Sequence, residues 1–206
     1  MRIISDGLYY AAGLVVLGLG LAYFVHPWVG LPLYVLAAFC LYFFRDPDRT
    51  PPAGDAIVAP ADGKVVAIRQ LGPAETRISI FLNIFDVHVN RTPIPGRITE
   101  VLYRKGKFLV ASHEEASVEN EQNTLVVEGP RGRVVCRQIA GLIARRIVCH
   151  KQAGDTVAAG ERIGYIKFGS RVDVLFGSEW RPTVKVGDRV SAGTSILAKP
   201  VDGDVL

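Results

Sequence analysis

The stretch GDTVAAGERIGYI, residues 154–166, decides the expected fold because it is echoed by GDRVSAGTSILA at residues 187–198. Both copies begin with Gly-Asp-x-Val-x-Ala-Gly and continue into an apolar run. Glycine and aspartate are typical turn residues, and a short apolar run bounded by turns is typical of a strand. The pattern therefore predicts the same turn-strand-turn unit at two places in one β structure.

The chain around this repeat also consists of short strand patterns. Turn sequences such as ADGK, TPIPG and EGPRGR separate the apolar runs, and from residue 46 onward no long segment has the 3.6-residue period of an amphipathic helix. We therefore expect a mostly β fold, in which residues 46–206 form a barrel-sandwich-like domain that resembles the biotinyl/lipoyl-like folds. The expected strands lie near residues 56–59, 64–71, 76–83, 97–104, 107–110, 124–128, 133–139, 146–150, 163–168, 171–175 and 195–198.

The N-terminal part has a different composition. Two uncharged stretches, residues 8–25 and 28–44, follow each other closely. A helix over either stretch would cover about 27 Å at 1.5 Å per residue, which is the short end of what spans a bilayer. A signal peptide fits poorly, because the apolar region is too long and a second one follows directly. We expect residues 1–45 to form a membrane-embedded helical hairpin or a re-entrant pair.

Arginines flank the two apolar stretches on their outer sides. Arg2 precedes the first stretch, Arg45 and Arg49 follow the second, and the connection HPWVGLP contains neither lysine nor arginine. Positively charged flanks stay on the cytoplasmic side of a membrane. The sequence therefore predicts a cell-membrane protein whose β domain lies on the cytoplasmic side.

Charge and cysteine usage exclude several classes of protein. The net charge is only +4 at pH 7, and no basic tract is interleaved with aromatic residues, so we expect no nucleic acid partner. A weak preference for anionic lipid headgroups is a better use of this charge. Cys40, Cys136 and Cys149 lack Cys-x-x-Cys spacing, which predicts neither a disulfide framework nor a metal site.

Three motifs carry residues that could perform chemistry. APADGKV contains Asp62 in a turn, FLNIFDVHVNRTP contains His88 at the end of an apolar run, and FGSRVD contains the pair Gly169 and Ser170. Together they offer a carboxylate, a base and a nucleophile, the combination that activates a hydroxyl by removing its proton. Glycine inside a strand often marks a place where another group approaches the backbone closely.

In this order the motifs resemble the phosphatidylserine decarboxylases, and in particular their short branch, which includes archaetidylserine decarboxylases. The resemblance runs from about Phe43 to Leu175 through FFRDP, PADGKV, FDVHVNRTPIPG, ENEQN, GLIARRIVC and YIKFGSRVD. It implies a proenzyme that cuts itself between Gly169 and Ser170. The products would be a large chain, residues 1–169, and a small chain, residues 170–206, which remain together as a heterodimer.

The resemblance also implies the cofactor and the reaction. Ser170 would become a covalent pyruvoyl group, with no added metal. This group would form a Schiff base with the amine of phosphatidylserine and accept electrons as CO2 leaves, so that the product is phosphatidylethanolamine.

The resemblance further implies roles for single residues. Asp62 would belong to the triad that drives self-cleavage, and His88 would handle the substrate. His88 is the one histidine of its motif, so it either serves both steps or is assisted by Asp86. Arg91 could bind the carboxylate or the phosphate of the substrate in bidentate fashion.

Alternatives to these assignments stay open from the sequence. Arg145 and Arg146 are other candidate phosphate partners, and the polar segment 112–123 is either a mobile lid or a solvated connection.

A non-enzymatic, membrane-anchored carrier or adaptor would also suit the repeated turn unit. Such a carrier needs an acceptor lysine at a hairpin tip, and the region between the two copies offers no suitable one. The Gly-x-Ser-x-Gly elbow of an ordinary hydrolase is absent from the sequence. A serine peptidase acting on other proteins would leave the chain intact and would need a separate substrate cleft.

Overall fold

The computed structural model describes residues 1–107, 119–141, 146–167 and 169–201. The chain divides into two compact units, residues 1–48 and the residues from Arg49 onward. The first unit is helical and the second consists of strands.

The N-terminal unit is a helical hairpin, as predicted. Helix α1 spans Ser5–Phe24, a short 3₁₀ helix spans Pro27–Gly30, and helix α2 spans Leu31–Phe43. The two α-helices pack closely because small residues line their contact; a Cβ atom on Gly18 would lie 2.6 Å from the Tyr34 ring. Small residues of this kind allow close approach between apolar helices.

One helix among the described residues is long and apolar enough to cross a membrane. It is α1, with 20 residues and a mean hydropathy of 1.7 over its best 18-residue window, and the following apolar segment, Pro27–Phe43, is shorter. At 1.5 Å per residue α1 covers about 30 Å, the thickness of a hydrocarbon core.

The second unit is built from short antiparallel strands. Numbered after β1 (Arg2–Ile3) and β2 (Arg45–Asp46) of the first unit, they are β3 (Ile57–Val58), β4 (Gly63–Gln70), β5 (Glu75–Leu82), β6 (Val89–Arg91), β7 (Gly96–Arg104), β8 (Gln122–Gly129), β9 (Gly132–Ile139), β10 (Ile147–Cys149), β11 (Thr156–Val157), β12 (Arg162–Ile166), β13 (Ser170–Gly177), β14 (Trp180–Pro182), β15 (Arg189–Val190) and β16 (Ile196–Pro200).

Most of these strands form one curled sheet. Its eight strands follow the order β11, β7, β8, β9, β13, β5, β4, β15, and two three-stranded sheets complete the unit in the orders β10, β12, β6 and β14, β16, β3. The inner side is apolar along each long strand, with residues such as Ile80, Leu125, Cys136, Val172 and Val174 in one core. The predicted mostly β, barrel-sandwich-like fold is confirmed.

The repeated sequence produces the same local structure twice. In each copy the glycine N–H donates to the carbonyl oxygen of one residue in a long strand. The N–H of that same residue donates to the aspartate carbonyl oxygen, and both hydrogen bonds measure 2.8–2.9 Å. The residues concerned are Gly154 and Asp155 with Ile98 of β7, and Gly187 and Asp188 with Val65 of β4. Each copy therefore adds a two-residue strand to one edge of the curled sheet.

The last glycine of each copy forms a corner. Gly160 and Gly193 have φ angles of +70° and +73°, a left-handed conformation that suits glycine. A Cβ atom on Gly160 would lie 3.3 Å from the Cα atom of Gly193, so the two corners are in close contact with each other. Close approach and left-handed backbone together explain why both copies end in glycine.

The sequence located the long strands and missed several short ones. Strands β6, β11, β14 and β15 have two or three residues and were not expected, because so short a run shows no alternation. The strand expected at 107–110 lies mostly outside the described residues, although Lys107 forms an isolated bridge with Asn120.

Candidate functional site

Ser170 is the first residue of the central strand β13. That strand pairs with β5 on one side, where Ser170 lies opposite Leu82, and with β9 on the other, where Arg171 lies opposite Ile139. Ser170 is fully buried, and its Oγ atom has no hydrogen-bond partner among the residues described. Because a buried hydroxyl without a partner destabilises a fold, its presence at this position needs a functional reason.

Gly169 places a bend directly before this serine. Its φ angle is +65°, in the left-handed region, and a Cβ atom there would meet no described heavy atom within 4 Å. The glycine is therefore required by the backbone conformation and not by lack of space, since a residue with a side chain would cost about 1–2 kcal/mol there. Strained backbone of this kind is often found at reactive sites.

His88 joins the glycine to a second part of the chain. The backbone N–H of Gly169 donates to Nε2 of His88 at 3.3 Å, although the two residues are 81 positions apart. Nδ1 of the same ring lies 2.9 Å from the carbonyl oxygen of Asp86. A carbonyl only accepts hydrogen bonds, so this contact assigns the proton to Nδ1 and the lone pair to Nε2. The buried imidazole thus points a basic nitrogen at the Gly169–Ser170 dipeptide.

Asp86 supports His88 through its backbone. Its carboxylate accepts hydrogen bonds from the Asn83 N–H at 2.9 Å and from Arg189 Nη1 at 3.0 Å. The bond from Asn83 closes the turn after β5, and the bond from Arg189 ties this turn to β15. Together they hold the Asp86 carbonyl oxygen at Nδ1 of His88. The sequence left open whether Asp86 assists His88, and the described contacts indicate assistance by positioning.

Asp62 lies at the same end of the sheet as Ser170. Lys64 and Arg171 are both paired with Phe81, so the start of β4, directly after Asp62, is level with the start of β13, about 10 Å away by two strand spacings. The carboxylate of Asp62 accepts hydrogen bonds from Arg49 Nη2 at 2.9 Å and from the Ala192 N–H at 2.7 Å. Its part in chemistry stays a prediction.

Arg91 is buried beside the corner of the repeats. Its Nη1 atom donates to the carbonyl oxygen of Gly160 at 3.0 Å, and its Cδ lies 3.0 Å from where a Cβ of Gly193 would be. These contacts give Arg91 a structural role, and its predicted role as a substrate ligand stays a prediction. Of the two alternatives, Arg146 is exposed and Arg145 lies outside the described residues.

A chain of three buried amides was missed by the sequence analysis. Asn123 Nδ2 donates to Gln138 Oε1 at 3.0 Å, and Gln138 Nε2 donates to Asn90 Oδ1 at 2.9 Å. The available signal was alternation, because Asn123 shares the inward side of β8 with Leu125 and Val127.

The expectation of a solvated connection or lid over 112–123 is wrong for its last residues. Residues 112–118 lie outside the described part of the chain. Asn120, Gln122 and Asn123 are buried, and β8 begins at Gln122. Their polar side chains point to hydrogen-bonding partners within the fold.

The opposite side of β13 carries a buried ion pair. Arg171 Nε donates to Asp173 Oδ1 at 2.7 Å, and Arg171 Nη2 donates to Ser79 Oγ at 2.6 Å. Both charged residues are almost completely buried. Burial lowers the pKa of the neighbouring Arg137 guanidinium, and the negative charge of Asp173 opposes this shift. The pair fixes the strand that begins with Ser170.

Comparison with known proteins gives the class of protein to which this site belongs. The family model described as phosphatidylserine decarboxylase matches residues 36–198. A protein named phosphatidylserine decarboxylase proenzyme, from Solibacter usitatus (strain Ellin6076), is 59% identical over 202 residues, which is 98% of both chains. The chain is therefore a carboxy-lyase. It belongs to the phosphatidylserine decarboxylase family.

The buried ion pair behind Ser170 predicts a stability effect. We expect Asp173→Asn to lower the free energy of unfolding by about 3–5 kcal/mol, because it leaves the buried Arg171 charge uncompensated. Denaturant unfolding of the detergent-solubilised protein measures this change.

Asp55→Asn is the matched control, because Asp55 pairs with Arg131 at 2.7 Å on the surface. We expect that change to stay within about 0.5 kcal/mol. Equal effects of the two substitutions would contradict the importance assigned to the buried pair.

Proposed function

We propose that this chain is a proenzyme that cuts its own Gly169–Ser170 peptide bond and then converts phosphatidylserine to phosphatidylethanolamine and CO2. One observation carries the proposal: the Ser170 hydroxyl is buried and has no hydrogen-bond partner within the described residues, and it directly follows a left-handed glycine whose N–H donates to His88. The word "proenzyme" in the name of the relative is in keeping with it.

The first step takes place around Gly169, whose N–H is bonded to His88 Nε2. In this step Nε2 exchanges that bond for the Ser170 hydroxyl and takes its proton, and the oxygen attacks the carbonyl carbon of Gly169. The C–N bond between the two residues breaks, the serine nitrogen receives the proton, and an ester replaces the peptide bond. Glycine suits this step because it has no side chain to hinder the attack.

The second step removes the ester. Loss of the α-proton of residue 170 breaks the Cβ–Oγ bond and releases the large chain with Gly169 as its terminal carboxylate. The unsaturated amine left on residue 170 takes up water and releases ammonia, which leaves a pyruvoyl group at the start of the small chain. Asp62, directly before the start of β4, is our candidate for assisting this process.

The strand pairing supports a small chain that stays bound. After the cut, β13 of the small chain would still be paired along its length with β5 and β9 of the large chain. In the same way, β15 would stay paired with β4, and β16 with β3, where β3 and β4 also belong to the large chain. We therefore propose a heterodimer held by the same ladders that hold the uncut chain.

The site suits the pyruvoyl group because residue 170 is enclosed on both sides by strands. This group supplies a carbonyl that takes up the substrate amine and withdraws electrons as CO2 leaves. His88 Nε2 would then return a proton to the α-carbon of the product.

We propose that Arg91 binds the carboxylate or phosphate of the substrate. Its guanidinium would then exchange its bond to the Gly160 carbonyl oxygen for a bond to the substrate.

The apolar N-terminus suits a lipid substrate. We propose that residues 1–45 are embedded in the cell membrane, with the arginines at both ends and the β domain on the cytoplasmic side. The length and hydropathy of α1 support embedding. A membrane-bound enzyme meets the phosphatidylserine headgroup at the bilayer surface.

Intact mass tests self-cleavage. We expect the purified wild type as two chains, the smaller starting with a pyruvoyl group at residue 170, and Ser170→Ala as one uncut chain. The sequence Phe-Gly-Ser occurs again at residues 176–178, where Ser178 is exposed, so Ser178→Ala serves as a matched control that still cleaves. Recovery of the wild type as one whole chain would remove this proposal.

His88→Ala tests the base. We expect self-cleavage to slow by about 10²–10⁴-fold, as for loss of a general base, and CO2 release per cleaved chain to fall as well. The two rates are measured separately, by gel and by trapping of labelled CO2. His150→Ala is the control, because His150 is exposed and its ring lies 6.0 Å from the Tyr165 ring. Wild-type values for both rates in His88→Ala would refute its role.

Membrane vesicles test the topology. We expect the protein to resist extraction by alkaline carbonate, and added protease to digest the β domain in sealed inverted vesicles but not in right-side-out ones. Release by carbonate would disprove the embedding, and digestion only in right-side-out vesicles would reverse the orientation.

A further inference from the structure

Asn90 carries a buried hydrogen-bond donor that the fold leaves unused. The residue is completely buried, and its Nδ2 atom has no hydrogen-bond partner within the described ranges. Its Oδ1 atom, by contrast, accepts a bond from Gln138. The chain of amides from Asn123 through Gln138 therefore fixes Asn90 in one orientation and ends in an unpaired N–H.

The strand register places this donor near Ser170. His88 and Asn90 are two residues apart at the start of β6, so their side chains project to the same side. His88 contacts Gly169, on one side of Ser170, and Asn90 contacts Gln138.

Gln138 lies opposite Val172, on the other side of Ser170. Gln138 and Ser170 are therefore diagonal neighbours, and the side chains of such neighbours lie about 7–8 Å apart. Along β13, the His88 contact and the Gln138 contact fall on either side of Ser170.

A purely structural role explains this arrangement poorly. An unpaired buried donor costs about 1–3 kcal/mol, and apolar residues would fill the same space without that penalty. Donors that are held in place before any charge exists are the usual means of stabilising an oxygen that becomes negative during a reaction. Such an oxygen forms beside Ser170 when its hydroxyl attacks the Gly169 carbonyl.

We propose that Asn90 Nδ2 donates a hydrogen bond to the carbonyl oxygen of Gly169 as that oxygen becomes negatively charged in self-cleavage. This inference rests on the self-cleavage proposed above. No proton is transferred: the C=O electron pair moves onto the oxygen while Ser170 Oγ bonds to the carbon, and it returns when the C–N bond breaks. Gln138 and Asn123 act as positioning residues that orient the amide.

Removal of the donor tests this role. We expect Asn90→Ala to slow the appearance of the small chain by about 10²–10³-fold, the usual effect of losing one donor to such an oxygen. Asn90→Asp keeps the shape but replaces the donor by a negative charge, and we expect it to slow cleavage at least as much. Asn123→Ala shortens the far end of the amide chain without removing the donor, and we expect a smaller loss, of less than about tenfold.

A second measurement separates this role from a general loss of structure. Hydroxylamine cleaves an ester but not a peptide bond, so a chain stopped before ester formation should resist it, and the uncut Asn90 variants should stay whole. Their thermal unfolding midpoints report on the fold, and if Asn90→Ala fails to fold, the isosteric Asn90→Asp decides the question.

Two results would overturn the inference. One is cleavage of a folded Asn90 variant at the wild-type rate, and the other is accumulation of a hydroxylamine-sensitive ester. Failure of self-cleavage itself would be recognised separately, because the wild type would then also remain uncut.

Discussion

The pairing of β13 on both of its edges is the constraint on which the site depends. A strand in the middle of a sheet has neighbours on both sides, and the first seven residues of this one are buried. Ser170 lies opposite Leu82 in one ladder, and the next residue, Arg171, is paired on both edges, so the backbone of the strand fixes the position of Ser170. Its hydroxyl makes no hydrogen bond to another described residue.

The same position concentrates several unfavourable features. Gly169 has a left-handed backbone, and within the described residues neither the Ser170 hydroxyl nor the Asn90 Nδ2 donor has a hydrogen-bond partner. Each is costly for a fold, and costs of this kind are tolerated where they serve a reaction. The apolar core under β13 and the Arg171–Asp173 pair on its other side supply stabilisation that offsets them.

Sequence patterns predicted the elements that are long or repeated. The alternation along β4, β5, β8, β9 and β13 and the two Gly-Asp-x-Val-x-Ala-Gly copies led to the mostly β fold that the structure has. The patterns could not predict two-residue strands, which form only because a partner strand is already in place. They also could not predict the burial of Asn90, since its partner Gln138 is 48 residues away and an isolated asparagine is typical of a turn.

The tripeptide Phe-Gly-Ser separates what the sequence determines from what the tertiary structure decides. It occurs at residues 168–170 and again at 176–178, with the same local chemistry. The sequence by itself determined the repeated turns, the apolar N-terminus and the presence of a serine, a histidine and a carboxylate in motifs typical of one family. Only the tertiary structure decided that Ser170 is buried at the start of a central strand beside His88, while Ser178 is exposed beyond its end. The physical reason is that the burial of Ser170 and the contact between His88 and Gly169, 81 positions apart, arise only when the chain folds.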